Sequence, residues 1–305
     1  MRCTLLTIAV VALSAAGCQS TGGDLSPDGF ESPDAAFAAL AAASRDESRA
    51  ALDDLLGPRS DEVLATGDTV ALQSEIEAFL ELYDTSHSVE VQADGRAFLL
   101  VGGDEWTYPV PVVRDGDVWR FDVDRGIEEI LDRRIGANEL TATQVCRAIG
   151  DAQDEYRDLA PEGSAQFAAR FFSDPGRRNG LYWPSDEGEA LSPLGLLVAR
   201  AEIEGYGRNR DGEPTPYHGY HYRILSAAGP NAPGGARTYA ADGAMTEGHA
   251  VVAWPSAYGV SGVCTFLYDD RGILYECDLG PNTEAIVDGI DTFDPGPTWT
   301  VCLDG

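Results

Sequence analysis

Lysine is absent from this 305-residue chain; all 21 of its basic residues are arginine. That absence excludes Schiff-base and lysine-nucleophile chemistry. Histidine is scarce, with only His87, His218, His221 and His249, and no HExxH spacing joins any of them to a metal-protease pattern. The six cysteines contain no CxxC pair, which removes the thioredoxin-like motif. Positive charge is the larger shortage. Against 51 acidic residues the formal net charge is −30, so phosphate backbones are repelled and nucleic acid is excluded as a partner. Past the first residues no apolar run is long enough to span a bilayer. The glycine-rich APGGA stretch (Ala232–Ala236) has neither a lysine nor a following helix, so it is no phosphate cradle. Gly259-Val260-Ser261-Gly262-Val263 lacks the second glycine of a nucleophile elbow. No catalytic residues are assigned.

The first eighteen residues, MRCTLLTIAVVALSAAGC, carry a short positive start at Arg2 and an apolar run over Leu5–Leu13. Small residues follow at Ala15-Ala16-Gly17. This resembles a bacterial lipobox, with Cys18 as the diacylated residue, although Ala15 stands where leucine is commoner. Gln19 follows rather than aspartate, which implies an outer-membrane destination facing the periplasm. Membrane attachment is then through acyl chains at Cys18, at about 0.8 kcal/mol per buried CH₂. Residues 19–30 form a polar Gly/Ser/Pro tether.

At 44% hydrophobic residues the chain has the means to build cores, and its length allows two domains. Helical periodicity marks Pro33–Ala41, capped by Ser32, then Glu47–Leu56 and Leu72–Tyr83. The period then falls to two over Ser88–Ala93, Ala97–Gly102, Thr107–Arg114 and Val118–Val123. Residues 31–126 are therefore an α+β domain with helices on a curved antiparallel sheet. A connecting helix (127–138) leads to a joint at Gly136-Ala137-Asn138. The second domain, 139–305, opens on a helix whose Ala142, Val145, Ile149, Ala152, Tyr156 and Leu159 make one apolar seam. Short helices are predicted at Gln166–Phe172 and Leu194–Glu204, and strands at Tyr217–Ala227 and His249–Trp254.

The hairpin Val263–Tyr268/Ile273–Asp278, turning at Asp269-Asp270-Arg271-Gly272, is the most regular stretch. Setting Tyr268 against Ile273 places Phe266 opposite Tyr275 and Cys264 opposite Cys277. Opposed residues lie about 4.5–5.5 Å apart, within disulfide range. Four cysteines remain after Cys3 and Cys18, and three pairings are open to them. This register selects Cys264–Cys277 and leaves Cys146–Cys302 by elimination. Buried thiols are the alternative. The aromatics Tyr182, Trp183, Tyr217, Tyr220 and Tyr258 read as loop anchors or a binding groove.

The blocks LYWP, SPLG, GYHYRIL, APGGA, VAWPSAYGVSGV, TFLYDDRGILYECDLG and FDPGPTW resemble those of a bacterial family known only as domain of unknown function 2950. The resemblance covers about Phe30 to the C-terminus and implies a secreted protein or lipoprotein without an assigned activity. Residues 31–126, particularly Trp106–Asp122, resemble nuclear-transport-factor-2-like domains. The carboxyl half is similar to the globular part of type IV pilins and pseudopilins, with Glu139–Ala160 as the long helix and Gly219–Leu225 as the first strand. The pilin likeness implies calcium near Asp288, Asp291 and Asp294, and no other cofactor is expected. The function expected is that of a non-enzymatic envelope lipoprotein that meets a protein partner through its pilin-like module. A small ligand in the amino-terminal cone is the alternative, and a carboxylate-dependent hydrolase the second.

Overall fold

The computed structural model describes residues 29–60, 63, 69–160, 165–185, 189–203, 215–241 and 243–302. Cys18, the leader and nearly all of the tether lie outside the described residues. The chain divides into two compact units, Met1–Arg133 and Arg134–Gly305. Both combine helices with antiparallel strands, so the class is α+β.

In the first unit, helix α1 (Pro33–Arg45) starts where the Ser32 hydroxyl accepts the Ala35 amide at 3.1 Å. That bond satisfies one of the unpaired donors of the first turn. Helices α2 (Arg49–Leu56) and α3 (Thr69–Thr85) precede strands β1 (His87–Val91), β2 (Arg96–Val101), β3 (Trp106–Thr107), β4 (Val112–Asp115) and β5 (Val118–Phe121). They pair in the order β1-β2-β4-β5, with β3 on β2. Alternation along β2 buries Ala97, Leu99 and Val101 on one face. That face packs with Phe37, Leu40, Phe79 and Tyr108 in one core. The Phe79 and Tyr108 rings lie 5.4 Å apart, so side chains fill the space between helices and sheet. Phe30, expected in the tether, exchanges backbone hydrogen bonds with Trp119 at 2.9 and 2.7 Å and belongs to the fold.

Helix α4 runs unbroken from Val123 to Asp158. The joint expected at Gly136-Ala137-Asn138 lies inside it. Glycine costs a helix about 1 kcal/mol and asparagine less, and local fastening offsets that penalty. The Asn138 amide donates to the Ser261 carbonyl at 2.9 Å, and the Glu139 carboxylate accepts the Val263 and Cys264 amides, both at 2.9 Å. The predicted seam is buried at Ala142, Val145, Ile149 and Ala152 and is joined by Cys146, but Leu159 is exposed just beyond the helix end.

No helix forms at Gln166–Phe172. The Gln153 side chain grips Ala168 in both directions (Nε2 to carbonyl 2.8 Å, amide to Oε1 2.7 Å), and Phe167 bridges to Met245. These bonds hold an extended backbone. Helix α5 (Gly195–Ile203) follows, then β6 (Tyr220–Leu225) and four two-residue strands, β7 (Ala227–Ala228), β8 (Arg237–Thr238), β9 (Ala240–Ala241) and β10 (Ala244–Met245). The main sheet is completed by β11 (Ala250–Pro255), β12 (Cys264–Asp269) and β13 (Leu274–Asp278), with helix α6 (Thr283–Val287) before β14 (Thr300–Val301). Its order is β14-β13-β12-β11-β6. Tyr220, Val251, Phe266, Tyr268 and Leu274 share a core with the α4 seam. The other face is buried as well: Leu225, Val252 and Leu267 pack with Tyr239, Val287 and Phe293.

The hairpin register differs by one residue from expectation. Tyr268 faces Leu274, Cys264 faces Asp278, and Cys277 faces Thr265. The turn holds three residues, with the Asp269 amide bonded to Ile273 O, the Gly272 amide to Asp269 O, and Gly272 at φ +77°. A left-handed glycine closing a three-residue loop is the bulge that a four-residue turn lacks. Because strand neighbours alternate faces, Cys264 joins the helix-side core while Cys277 lies on the opposite side. No disulfide joins Cys264 to Cys277 or Cys146 to Cys302. Burial pushes the Cys146 and Cys264 thiols up to about 12, so both are protonated at neutral pH.

Candidate functional site

Within the second unit, α4 and the β12–β13 turn enclose a cleft of about 250 Å³. Glycines let its walls meet. A β-carbon at Gly150 would lie 2.6 Å from the Tyr268 hydroxyl, and one at Gly248 2.6 Å from an Asp270 carboxylate oxygen. Gly248 also has φ +139°, a region that L side chains rarely adopt. Tyr268 can therefore lie against the helix and Asp270 against the strand entry.

Four carboxylates line this cleft. Asp151 and Asp154 stand exposed on α4, one helical turn apart. Asp269 is fully buried. It accepts the Arg271 Nε at 2.7 Å and the amides of Arg271 and Ile273 at 3.2 and 3.3 Å, which shapes the turn. Asp270 receives Arg237 at 2.9 and 3.0 Å, yet burial raises its carboxyl above the ordinary range; Arg237 and Arg271 work against that rise and Asp269 adds to it. The guanidiniums of Arg237 and Arg271 thus engage the two turn carboxylates, while the helical pair faces solvent.

His249, immediately before β11, also lines the cleft. Its ring is 2% exposed and lies 4.9 Å from the Phe167 ring, and its Nδ1 is buried without a hydrogen-bond partner. Burial lowers its pKa to about 4, against the opposing pull of Asp154 and Asp269. The imidazole is neutral at pH 7 and offers one donor and one acceptor nitrogen. In the sequence His249 stands only as one of four histidines and Asp269-Asp270-Arg271 only as turn residues, and nothing there joins them into a site. The only signal was the spacing of Asp151 and Asp154 on a helix whose other face is apolar.

The residues selected from sequence lie elsewhere. Asp294 is engaged by Asn231, whose amide and side chain donate to it at 2.6 and 3.1 Å. Asp288, Asp291 and Asp294 do not converge on a calcium position; among the described residues no group of three or more His, Cys, Asp or Glu is placed to hold a metal ion. His221 stacks on Trp254 at 5.4 Å, while His218 sits in a turn at φ +46°. Trp183 and Tyr220 are buried anchors rather than groove walls.

The first unit has its own cleft, of about 330 Å³, with the opposite charge. Arg96 from β2 and Arg125 and Arg133 from the first turns of α4 line it, with Phe98 and Pro109 as apolar walls. Glu129 accepts Arg133 Nε at 2.8 Å and lies 3.7 Å from Arg125. Arg133 also donates to the Thr107 carbonyl at 2.8 Å and lies over the Trp106 ring at 5.4 Å.

Among the described residues no helix is long and apolar enough to cross a membrane. No curated protein and no solved structure matches the chain. A family model matches residues 28–302, nearly all of both units, and the chain belongs to the family it describes, the protein of unknown function DUF2950.

Proposed function

We propose that this chain is an exported, lipid-anchored envelope protein that works by binding rather than by catalysis. In this reading Cys18 carries the anchor at the outer membrane, facing the periplasm, and the carboxyl-terminal unit is a pilin-like module. The long helix seam packed on a five-stranded antiparallel sheet supports that module. Helices α1, α2 and α3 with a separate antiparallel sheet support a nuclear-transport-factor-2-like first unit. The acidic cleft receives a cationic side chain from a protein partner.

One observation carries this reading: two exposed carboxylates, Asp151 and Asp154, border a cleft where the partnerless Nδ1 belongs to a buried, neutral histidine. A volume near 250 Å³ exceeds that of a bare ion, since one water occupies about 30 Å³ of liquid. It suits the end of a lysine or arginine side chain. No lysine of this chain can fill it, because there is none.

Titration calorimetry with a short lysine-bearing peptide tests the proposal. Binding is expected to weaken as salt rises and to fall at least about tenfold in Asp151→Asn/Asp154→Asn, the loss of one or two charge-assisted contacts. Equal affinity of variant and wild type would remove the cleft from the reading. Fractionation of cells carrying Cys18→Ala tests the anchor separately: the variant should leave the membrane fraction.

A further inference from the structure

We infer that the arginine-lined cleft of the first unit is a binding site for a small organic carboxylate with an apolar body. It is independent of the acidic cleft in residues and in charge. In a chain of net charge −30, a cleft lined by three guanidiniums goes against the overall charge. Electrostatic attraction by the whole molecule does not explain an anion there, so any affinity must come from local geometry.

That geometry is preorganised. Two of the guanidiniums are fixed by partners that are near in sequence or on the facing backbone. Asp94 holds Arg96 through Nε and Nη2, at 2.8 and 2.5 Å. Glu129, four residues from each, lies between Arg125 and Arg133. Arg133 is further fixed by the Thr107 carbonyl and by the Trp106 ring beneath it. A guanidinium held this way retains N–H donors in a fixed plane and loses little side-chain entropy when a planar oxyanion arrives. The three side chains are 23–45% exposed, so they face the opening rather than a sealed interior.

The walls choose among anions. Phe98 and Pro109 give the cleft apolar surface beside its charges. Glu129 is itself part of the lining and reduces the positive charge offered. A phosphate dianion meets that carboxylate as repulsion and has nothing to place against Phe98. A monoanionic carboxylate on a ring or short chain satisfies both halves of the site: its oxygens match the planar N–H fork, and its body covers the apolar wall.

The full chain titrated with benzoate and, separately, with inorganic phosphate gives the test, followed by calorimetry and by backbone amide shifts. Saturable benzoate binding is expected, with shifts at Phe98 and in the first turns of α4 and with phosphate at least about tenfold weaker. Arg125→Gln should weaken benzoate about tenfold or more. The carboxylates it pairs with, Glu128 and Glu129, are exposed or partly exposed, so the fold does not depend on it. Arg45→Gln, which lies outside the cleft, should leave binding unchanged. No saturation at tens of millimolar benzoate, or equal binding by Arg125→Gln, overturns the site. Phosphate binding as tight as benzoate overturns the carboxylate assignment.

Discussion

The two clefts are near mirror images in charge and differ in how far their polar groups are withdrawn from water. In the first unit arginines line the opening and carboxylates hold them; in the second, carboxylates line it and arginines hold two of them. Most of the holding partners come from nearby in sequence: Arg125, Glu129 and Arg133 step by four along one helix, and Asp269 and Arg271 share one turn. Desolvation separates the sites. The arginines retain a quarter to nearly half of their exposure, whereas Asp269 and His249 lose essentially all of theirs. A half-exposed pair is screened and contributes little. His249, whose burial lowers its pKa, ties the site to pH. The second unit should therefore carry the pH dependence, although the first also has four charged groups at its cleft.

Core substitutions give the largest expected effect and ask whether each unit has its own core. Phe79→Ala and Phe266→Ala should each cost about 3–5 kcal/mol. Both rings are about 1% exposed and lie in different clusters. In denaturant titrations followed by residue-specific amide signals, each variant should lower the midpoint of its own unit. A common loss in both units from either variant would abolish the distinction.

The pH dependence follows in size. The His249 pKa is lowered to about 4 from 6.5, so at intermediate pH the unfolded chain takes up a proton that the folded chain refuses. Stability is complete above about pH 6.5 and falls as pH drops towards 4, by about 3 kcal/mol in total. His249→Gln should flatten this part of the profile, and the difference between the two profiles removes the contribution of the carboxylates. An unchanged slope would show that burial of this ring does not govern the second unit.

A β-carbon on the floor of the acidic cleft is a smaller perturbation. Gly150→Ala meets the Tyr268 ring at 2.6 Å and should cost about 1–3 kcal/mol by overpacking, measured as a shift in urea midpoint. Arg45→Gln completes the series. Its pair with Asp84 is half exposed on both sides, and the expected loss is under about 1 kcal/mol. Thermal unfolding should barely register it.

Much of this architecture is legible from residue order. Ser32 caps its helix as its side chain dictates, the alternation of Ala97, Leu99 and Val101 locates a buried face, and the α4 seam appears as 3-4 spacing. The acidic cleft is not legible. His249 is an unremarkable residue before a strand until Phe167 covers it, and Asp270 looks like any turn aspartate until Gly248 lets it pack inward. In a chain with 51 acidic residues, carboxylate spacing alone cannot mark out the few that lose their water.

Local chemistry set the periods, the caps and the presence of a hairpin, because each depends on residues within a turn or two of one another. The hairpin register was decided by the tertiary structure. Strand β12 is buried on both faces, so no polar side distinguishes inward from outward positions. With that constraint missing, the left-handed Gly272 and the packing of Tyr268 against Gly150 fix the pairing. A one-residue shift then sends Cys264 and Cys277 to opposite faces. The continuity of α4 was decided in the same way, by the contacts of Asn138 and Glu139 with residues more than a hundred positions along the chain. Helix propensity does not include bonds at that range, and here they outweigh a glycine.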